Sequence, residues 1–125
     1  MRLTLCAAWR KEDTQILIDI LGRYGVKATF FTVGQWADRY AESMKSLHDG
    51  GHEVMNHSDQ HPHMPRLSVR EITAEVGACN DKVEAVTRVR PTLFRCPHGE
   101  YNDNVISDIR AMGMNAMQWD VDCLD

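Results

Sequence analysis

Two histidines four residues apart, His57 and His61, are the residues of this chain best suited to bind a metal ion. Neutral imidazoles bind zinc, cobalt or nickel, and a two-histidine site needs at least one further protein ligand, usually a carboxylate. A catalytic site also keeps one position open for water. Loop histidines can instead cap turns, but the pair accompanies an Arg-x-Pro-x-Gly segment, and this combination favours a metal site. His52 and His63 flank the pair, and we expect both to be structural.

A second group of candidate residues occupies the segment Arg95-Cys96-Pro97-His98-Gly99. The planar guanidinium of Arg95 could hold a carboxylate, or it could make an ordinary surface salt bridge. Pro97 and Gly99 predict a fixed turn. A backbone N–H in such a turn can stabilise an oxyanion that develops during acyl transfer.

Short apolar strands alternate with amphipathic helices, which is the pattern of βα units built on a parallel sheet. Apolar and β-branched runs predict five strands, over residues 2–6, 27–33, 52–56, 93–96 and 114–119. Ser68 and Glu71 form a capping box at the start of a long helix, and Asn102 can cap the last helix. Asp13 or Thr14 can cap the first helix. The apolar face predicted for that helix consists of Ile16, Leu17, Ile20, Leu21 and Tyr24. One further helix carries a set of large apolar residues at helical spacing, namely Trp36, Tyr40, Met44 and Leu47.

Every candidate residue follows or ends a predicted strand. Cys6 ends the first strand, His57 and His61 follow the third, Arg95 belongs to the fourth, and Asp122 follows the fifth. In parallel α/β folds the carboxyl ends of the strands share one rim, and the loops there carry the chemistry. The topology therefore predicts a single site.

Length and composition exclude several classes of protein. The chain has 125 residues, a net charge of −4 and 43% hydrophobic residues, as in one ordinary globular domain. The acidic balance argues against binding to a nucleic-acid backbone, and no apolar run is long enough to span a membrane. Four cysteines are too few for a disulfide scaffold. No signal peptide is visible, so we expect either a cytosolic protein or a targeting segment outside this chain.

Across essentially its whole length the chain resembles the polysaccharide deacetylase family, also called the NodB homology domain or carbohydrate esterase family 4. The segments that carry the resemblance are Ala28-Thr29-Phe30-Phe31 with Gly34, Gly51-His52-Glu53, Asn56-His57-Ser58 with His61, Arg95-x-Pro97-x-Gly99 and Trp119-Asp120-Val121-Asp122. The resemblance implies an α/β fold, a distorted, incomplete (β/α) barrel with parallel strands. It also implies a metal-dependent hydrolase that removes N-acetyl groups from N-acetylglucosamine-containing polysaccharide, such as peptidoglycan or a chitin-like polymer.

The same resemblance assigns a role to each site residue. His57 and His61 match the two metal-binding histidines, and the implied cofactor is a divalent metal, zinc first, with cobalt or nickel as alternatives. Arg95 matches the arginine that orients the catalytic base. The backbone N–H of His98 matches the oxyanion donor, at a position usually held by tyrosine. Asp122 matches the aspartate that supports the catalytic acid histidine.

The first motif departs from the family pattern. The family usually has Thr-Phe-Asp-Asp-Gly where this chain has Thr4-Leu5-Cys6-Ala7-Ala8, so Cys6 occupies the base position and Ala7 a metal-carboxylate position. One hypothesis is that the Cys6 thiolate joins the two histidines in a zinc site. The alternative is that Cys6 and the other rim cysteines, Cys96 and Cys123, are small apolar fillers. Glu12 or Asp13 could also supply the missing carboxylate, although Asp13 is better explained as a helix cap.

These departures keep a second function open, a catalytically inactive glycan- or metal-binding relative that lacks the base aspartate and the acid histidine. The fifth family motif, which supplies that histidine, has no counterpart in residues 1–125, which we therefore expect to form one partial domain. Five strands cannot close the barrel that the whole family domain builds. We expect a crescent-shaped half-barrel or the self-association of two chains across the open edges. Family members act mostly at the cell envelope or outside the cell.

Overall fold

A computed structural model describes residues 3–7 and 11–117, with Leu3, Cys6, Ala7, Lys11 and Glu12 described through their backbone only. The elements, in chain order, are β1 (Leu3–Ala7), α1 (Lys11–Arg23), β2 (Ala28–Thr32), α2 (Gly34–Arg39), α3 (Ala41–Asp49), β3 (Glu53–Asn56), α4 (Val69–Thr87), β4 (Leu93–Arg95), α5 (Asp103–Ala111) and β5 (Asn115–Met117). Two short 3₁₀ turns, Met64–Arg66 and Pro97–Gly99, precede α4 and α5. No helix within the described ranges has the length and apolarity needed to cross a membrane.

The five strands form one parallel sheet in the order β1-β2-β3-β4-β5, so each strand pairs with its neighbours in the sequence. Phe30 of β2 pairs in register with Leu5 of β1 on one side and with Val54 of β3 on the other. The sheet curls into a half-barrel with helices packed on its outside. The predicted fold class and the alternation of strands with helices are therefore confirmed.

Alternate strand residues face opposite sides of the sheet, and the two sides differ in character. The outer side packs against the helices and forms two apolar clusters. The first cluster is centred on Leu21, Phe30, Trp36, Met44, Leu47 and Val83, and the second on Met64, Ile72, Val76, Phe94, Val105 and Ile109. The opposite side, which we call the inner face, is mixed in polarity and carries Thr4, Thr29, Phe31, Glu53, Met55 and Arg95. Because these apolar clusters fix the helices against the sheet, the loops that join strands to helices at the rim are held in place.

The first helix packs with only part of the face that was predicted. Helix α1 begins at Lys11, so Asp13 lies inside its first turn rather than at its cap. Ile16, Ile20 and Tyr24 are 58%, 43% and 73% exposed. The side that contacts the core consists of Leu17, Ile18 and Leu21, with Thr14 also buried. The prediction is confirmed for Leu17 and Leu21 and wrong for Ile16, Ile20 and Tyr24, because the helix has two apolar stripes about 100° apart and helical spacing alone does not choose between them.

The predicted helix through Trp36 and Leu47 is two helices. The backbone breaks at Tyr40, which has φ −131° and ψ 49°, so α2 ends at Arg39 and α3 begins at Ala41. Trp36, Met44 and Leu47 nevertheless reach the same apolar cluster. The change in backbone direction at Tyr40 therefore still allows the apolar residues of both helices to pack into one cluster.

Of the three predicted polar caps, those of α4 and α5 are confirmed, whereas Asp13 and Thr14 lie inside α1. At the start of α4, Ser68 Oγ accepts a hydrogen bond from the Glu71 N–H at 3.2 Å, and Glu71 Oε1 accepts one from the Ser68 N–H at 3.0 Å. At the start of α5, Asn102 Oδ1 accepts from the Val105 N–H at 2.9 Å. The reciprocal bonds satisfy N–H groups that have no partner within the helix.

We expect Ser68→Ala to raise the pKa of Glu71 toward its ordinary value. Hydrogen bonds from the Ser68 backbone and side chain hold the pKa of Glu71 below 4.5. Since the folded pKa is lowered, this carboxylate stabilises the fold fully above the unfolded pKa, and the contribution is lost as the pH falls through the folded value. NMR titration of the Glu71 carboxyl carbon in both proteins measures the change. An identical titration midpoint in the variant would contradict the capping role.

Candidate functional site

His57 stands immediately after β3 with its ring oriented by the neighbouring strand. Its side chain is 2% exposed, and its N–H donates to the Thr32 carbonyl oxygen at 3.0 Å. The ring Nδ1 lies 2.9 Å from the backbone carbonyl oxygen of Arg95. Because a carbonyl oxygen only accepts hydrogen bonds, Nδ1 carries the hydrogen and Nε2 keeps the lone pair that a metal takes.

His61 is brought back against His57 by a tightly folded loop. The two ring centroids are 4.8 Å apart, with an angle of 70° between the planes. Ser58 and His61 have left-handed φ angles of 70° and 61°, and the His61 N–H donates to Ser58 Oγ at 3.0 Å. The predicted histidine pair is therefore a real neighbour pair at the rim.

Asn56 connects this loop to helix α4, a role that the sequence analysis did not assign. Its side chain is fully buried, and Oδ1 accepts from the Ser58 N–H at 2.7 Å. Nδ2 donates to the Val76 carbonyl oxygen and to Asn80 Oδ1, each at 2.8 Å. The signal available in the sequence was a polar residue at the end of an otherwise apolar strand, directly before the first histidine.

Arg95 is part of the inner face, so its alternative as a surface salt bridge is wrong. The side chain is 6% exposed, and its guanidinium carbon lies 4.6 Å from the centre of the Phe31 ring. Its Nη2 donates to Thr4 Oγ1 of β1 at 3.2 Å, across the half-barrel. Cys6 lies two residues beyond Thr4 on the same strand and is in register with Phe31. Position 6, which the resemblance assigns to the catalytic base, and Arg95 thus lie in the same region of the inner face.

His98 lies on the other side of His61. It belongs to the 3₁₀ turn after β4 and has a left-handed φ of 61°. Its ring centroid is 4.5 Å from that of His61 and 4.2 Å from that of His63, which it meets face to face. His63 Nδ1 in turn bonds Glu100 Oε1, a contact that lowers the pKa of the Glu100 carboxyl. His63, expected to be structural, therefore adjoins the site.

His52 has the structural role that the sequence predicted. It is 4% exposed, its Nδ1 accepts a hydrogen bond from the Ala28 N–H at 3.1 Å, and its ring packs edge-on against Phe30. These contacts fasten the start of β3 to β2. His52 thus lies at the amino end of its strand, away from the rim.

The described cysteines are apolar fillers. Cys96 follows β4 but packs into the second apolar cluster, and burial raises the pKa of its thiol to about 12. Burial likewise raises the pKa of Cys79 to about 12, and its thiol donates to the Thr32 carbonyl oxygen at 3.3 Å. Neither thiol is a thiolate at neutral pH. Asp122 and Cys123 lie outside the described residues, so the roles expected of them stay predictions.

Asp59, the carboxylate nearest the histidine pair in the sequence, forms an ion pair with a lysine of α4. Its Oδ1 accepts from Lys82 Nζ at 2.6 Å, and the same ammonium bonds Asp38 at 2.8 Å. These hydrogen bonds raise the pKa of Lys82. The ion pairs join α2, the rim loop and α4, so Asp59 stabilises the loop.

The histidine pair fits part of a metal site. Imidazole nitrogens such as those of His57 and the adjacent His61 suit a divalent ion that accepts nitrogen ligands. Among the side chains that the structure describes, which do not include those of Cys6 and Glu12, no group of three from histidine, cysteine or carboxylate residues could hold a metal. Any third protein ligand would therefore come from outside the side chains that the structure describes.

Gly34 allows the rim loop to approach α2, and we expect Gly34→Ala to destabilise the protein by about 1–3 kcal/mol through overpacking. A β carbon at residue 34 would overlap Asp59 Oδ1 and lie 3.1 Å from Asp59 Cα. Urea unfolding measures the loss. Gly22→Ala is the matched control, because a β carbon there meets nothing within 4 Å. Helix propensity predicts that this control is neutral or stabilising. Equal stability changes in both variants would contradict the packing argument.

The motifs at the rim are shared with a known family. A sequence profile described as "Polysaccharide deacetylase" matches residues 3–117, which include all five strands and every described site residue. The chain belongs to the polysaccharide deacetylase family. This finding confirms the resemblance inferred from the motifs, and the half-barrel corresponds to part of the family's (β/α) barrel.

Two curated relatives show how far the similarity extends. The uncharacterized protein YlxY of Bacillus subtilis is 33% identical over 118 residues, which are 94% of this chain and 37% of YlxY. The peptidoglycan-N-acetylmuramic acid deacetylase PdaC of the same bacterium is 38% identical over 109 residues, 87% of this chain and 23% of PdaC. The chain thus spans 37% of the length of YlxY and 23% of the length of PdaC.

Solved structures of the carbohydrate esterase family 4 (CE4) share the fold. A CE4 family pseudoenzyme from Bacillus anthracis superposes with a TM-score of 0.90 at 34% identity, covering 95% of this chain and 43% of that chain. A mutant of the pseudoenzyme with restored enzymatic activity has a TM-score of 0.90 at 35% identity, covering 95% and 44%. The family fold therefore accommodates both active and inactive sites.

Proposed function

We propose that this chain binds an N-acetylated glycan and hydrolyses its acetamide groups, with a divalent metal held by His57 and His61. The observation that carries the proposal is the pairing of these imidazoles at the carboxyl end of β3. The Arg95 carbonyl oxygen orients the His57 ring through Nδ1, and the His61 ring lies beside it at a centroid distance of 4.8 Å. Zinc is the first choice for two imidazole ligands, with cobalt or nickel as alternatives.

The proposed substrate is an N-acetylglucosamine-containing polysaccharide of the peptidoglycan or chitin-like class. Membership of the polysaccharide deacetylase family supports a glycan, and the name of PdaC favours peptidoglycan. The net charge of −4 supports a site for a carbohydrate rather than for a nucleic-acid backbone.

The side chains and backbone groups at the rim would divide the chemistry among them. Bound at the histidine pair, a divalent cation supplies Lewis-acid polarisation of a carbonyl oxygen and lowers the pKa of a neighbouring water. The His98 backbone N–H would donate to the oxyanion that forms when the acetamide carbon becomes tetrahedral. Arg95 would fix the group at position 6 of β1, where the family has its base. Cys6 is a weak substitute for a carboxylate at that position, because a thiol that is not activated is mostly protonated at pH 7.

Acetate release from N-acetylglucosamine oligomers tests the proposal, using the purified protein with added zinc or cobalt. The expected result is release that depends on the metal and is abolished by His57→Ala. Lys45→Ala, which changes an exposed residue of α3 away from the rim, is the matched control and should keep the activity. Metal-independent release, or full activity of His57→Ala, would overturn the assignment of the histidine pair.

A second candidate function is a glycan- or metal-binding protein without turnover. Cys6 and Ala7 replace the two aspartates of the first family motif, and the fold also superposes on a CE4 family pseudoenzyme. This candidate predicts that the protein binds the oligomers and zinc but releases no acetate. Calorimetric titration with the oligomers, performed beside the acetate assay, distinguishes the two functions.

A further inference from the structure

A line of three imidazoles and one carboxylate connects the two rim loops. The His98 ring has the His61 ring at 4.5 Å on one side, with an angle of 65° between the planes. On its other side the His63 ring is stacked at 4.2 Å with an angle of 8°. His63 Nδ1 then bonds the carboxylate of Glu100 at 2.5 Å. His61 and His63 belong to the loop after β3, whereas His98 and Glu100 follow β4.

The His98 turn needs support from outside itself. A non-glycine residue with a φ of 61° is held in a conformation that costs roughly 1–2 kcal/mol. The turn has one backbone hydrogen bond of its own, from the Glu100 N–H to the Pro97 carbonyl oxygen at 3.2 Å. His98 is exposed, so burial of its side chain does not hold it. Its ring contacts the rings of His61 and His63.

The bond to Glu100 determines how His63 can support this turn. An imidazole on a free side chain samples several orientations, and only a ring parallel to His98 can stack face to face. Fixing Nδ1 against a carboxylate selects one ring plane, and that plane is within 8° of the His98 plane. Glu100 therefore fixes the orientation of the His63 ring, and the stacked His63 ring in turn restrains His98.

We propose that Glu100 and His63 are positioning residues that hold the Pro97–Gly99 turn, and with it the His98 backbone N–H, in place beside the histidine pair. The catalytic benefit of this placement rests on the proposed function, in which that N–H stabilises an oxyanion. The placement itself does not depend on turnover. His63 thus contributes to the site by orienting the residue beside it.

Two substitutions at Glu100 separate positioning from a general effect on folding. Glu100→Ala removes the acceptor for His63, whereas Glu100→Gln keeps an acceptor oxygen in nearly the same place. His63→Ala removes the stacking partner, and His63→Phe keeps a flat ring. Glu84→Ala is the matched control, because Glu84 is also an exposed glutamate in an ion pair, with Arg90 on α4.

The first measurement is the ¹⁵N relaxation order parameter of the His98 amide in the metal-free protein. We expect it to fall from a rigid value of about 0.85 to below about 0.6 in Glu100→Ala and His63→Ala. Glu100→Gln and Glu84→Ala should keep the rigid value, and so should the Val105 amide of α5 in every variant. His63→Phe should lower the His98 order parameter as Glu100→Ala does, because its ring has no nitrogen to bond Glu100. An unchanged His98 order parameter in both alanine variants would overturn the proposal, as would an equal loss of order at Val105.

Acetate release by the metal-loaded protein is the second measurement. Glu100→Ala and His63→Ala should lower kcat about tenfold with little change in KM, because the N–H acts in the transition state. An unchanged kcat alongside a lowered order parameter would overturn the catalytic part. If no variant, including the original protein, releases acetate while the order parameter falls as expected, the proposed function fails and the positioning role stands.

Discussion

Replacing Cys6 with aspartate should increase acetate release from N-acetylglucosamine oligomers by about 100-fold or more, since a well-placed general base contributes 10²–10⁴-fold. Cys6 is in register with Phe31, and the Phe31 ring stacks with the Arg95 guanidinium. A carboxylate at position 6 would therefore lie in a part of the inner face that already contains a buried cation. The family pattern also has aspartate at this position. Initial rates at saturating zinc, compared between the original protein and Cys6→Asp, measure the gain.

Cys6→Asn is the matched control, because asparagine has the shape of aspartate without its charge. It should leave the rate at or below that of the original protein. A gain in Cys6→Asn equal to that in Cys6→Asp would show that shape, rather than base strength, limits the reaction. No gain in either variant would contradict the assignment of position 6 as the place of the missing base.

Cys6→Ala separates the base position from the thiolate-ligand hypothesis. If the Cys6 thiolate ligates zinc beside His57 and His61, its loss should weaken zinc affinity by at least about 10-fold, since even outer-shell changes have effects of 10–100-fold. Competition with a chromophoric chelator measures the affinity. Unchanged affinity would exclude the thiolate ligand and leave Cys6 as an apolar filler.

Asn56→Ala should both destabilise the protein and weaken metal binding. The change leaves the Ser58 N–H, the Val76 carbonyl oxygen and Asn80 Oδ1 without the bonds that Asn56 now makes. Each buried polar group left unpaired costs roughly 1–3 kcal/mol. We therefore expect a loss of about 3 kcal/mol in the free energy of unfolding, measured with urea. Because Ser58 also accepts from the His61 N–H, zinc affinity should fall by about 10–100-fold.

Val83→Ala provides the control for the second effect. Val83 is fully buried on α4, in the first apolar cluster and away from the rim loop, so its truncation lowers stability by leaving a cavity. Zinc affinity should be unchanged in this variant. An equal loss of affinity in Val83→Ala would mean that general destabilisation, and not the position of the histidine loop, controls metal binding.

Features that depend on neighbouring residues were predictable from the sequence. The capping box at Ser68 and the Asn102 cap are bonds between residues three apart, and both occur as predicted. The parallel order of the strands follows from their alternation with helices. The neighbouring positions of His57 and His61 follow as well, since both belong to one short loop after one strand.

Features that depend on residues distant in sequence were not predictable in the same way. The predicted face of α1 was too broad, because two apolar stripes are available and only docking on the sheet selects the one that contains Leu17 and Leu21. Arg95 could have been a surface residue until the curl of the sheet brought it to Thr4, 91 positions away in the sequence. The contribution of Glu100 became apparent only through its bond with His63, 37 positions away.

The sequence by itself determined the family, the parallel α/β fold and the histidine pair, because short-range spacing and motif order specify them. The tertiary structure decided which side chains share the inner face, that Cys96 is buried, and that His63 and His98 stack. Those outcomes depend on how the half-barrel curls and on which loops its rim brings together. The curvature of the sheet and the contacts between the rim loops result from the packing of many residues at once, so no local sequence pattern predicts them.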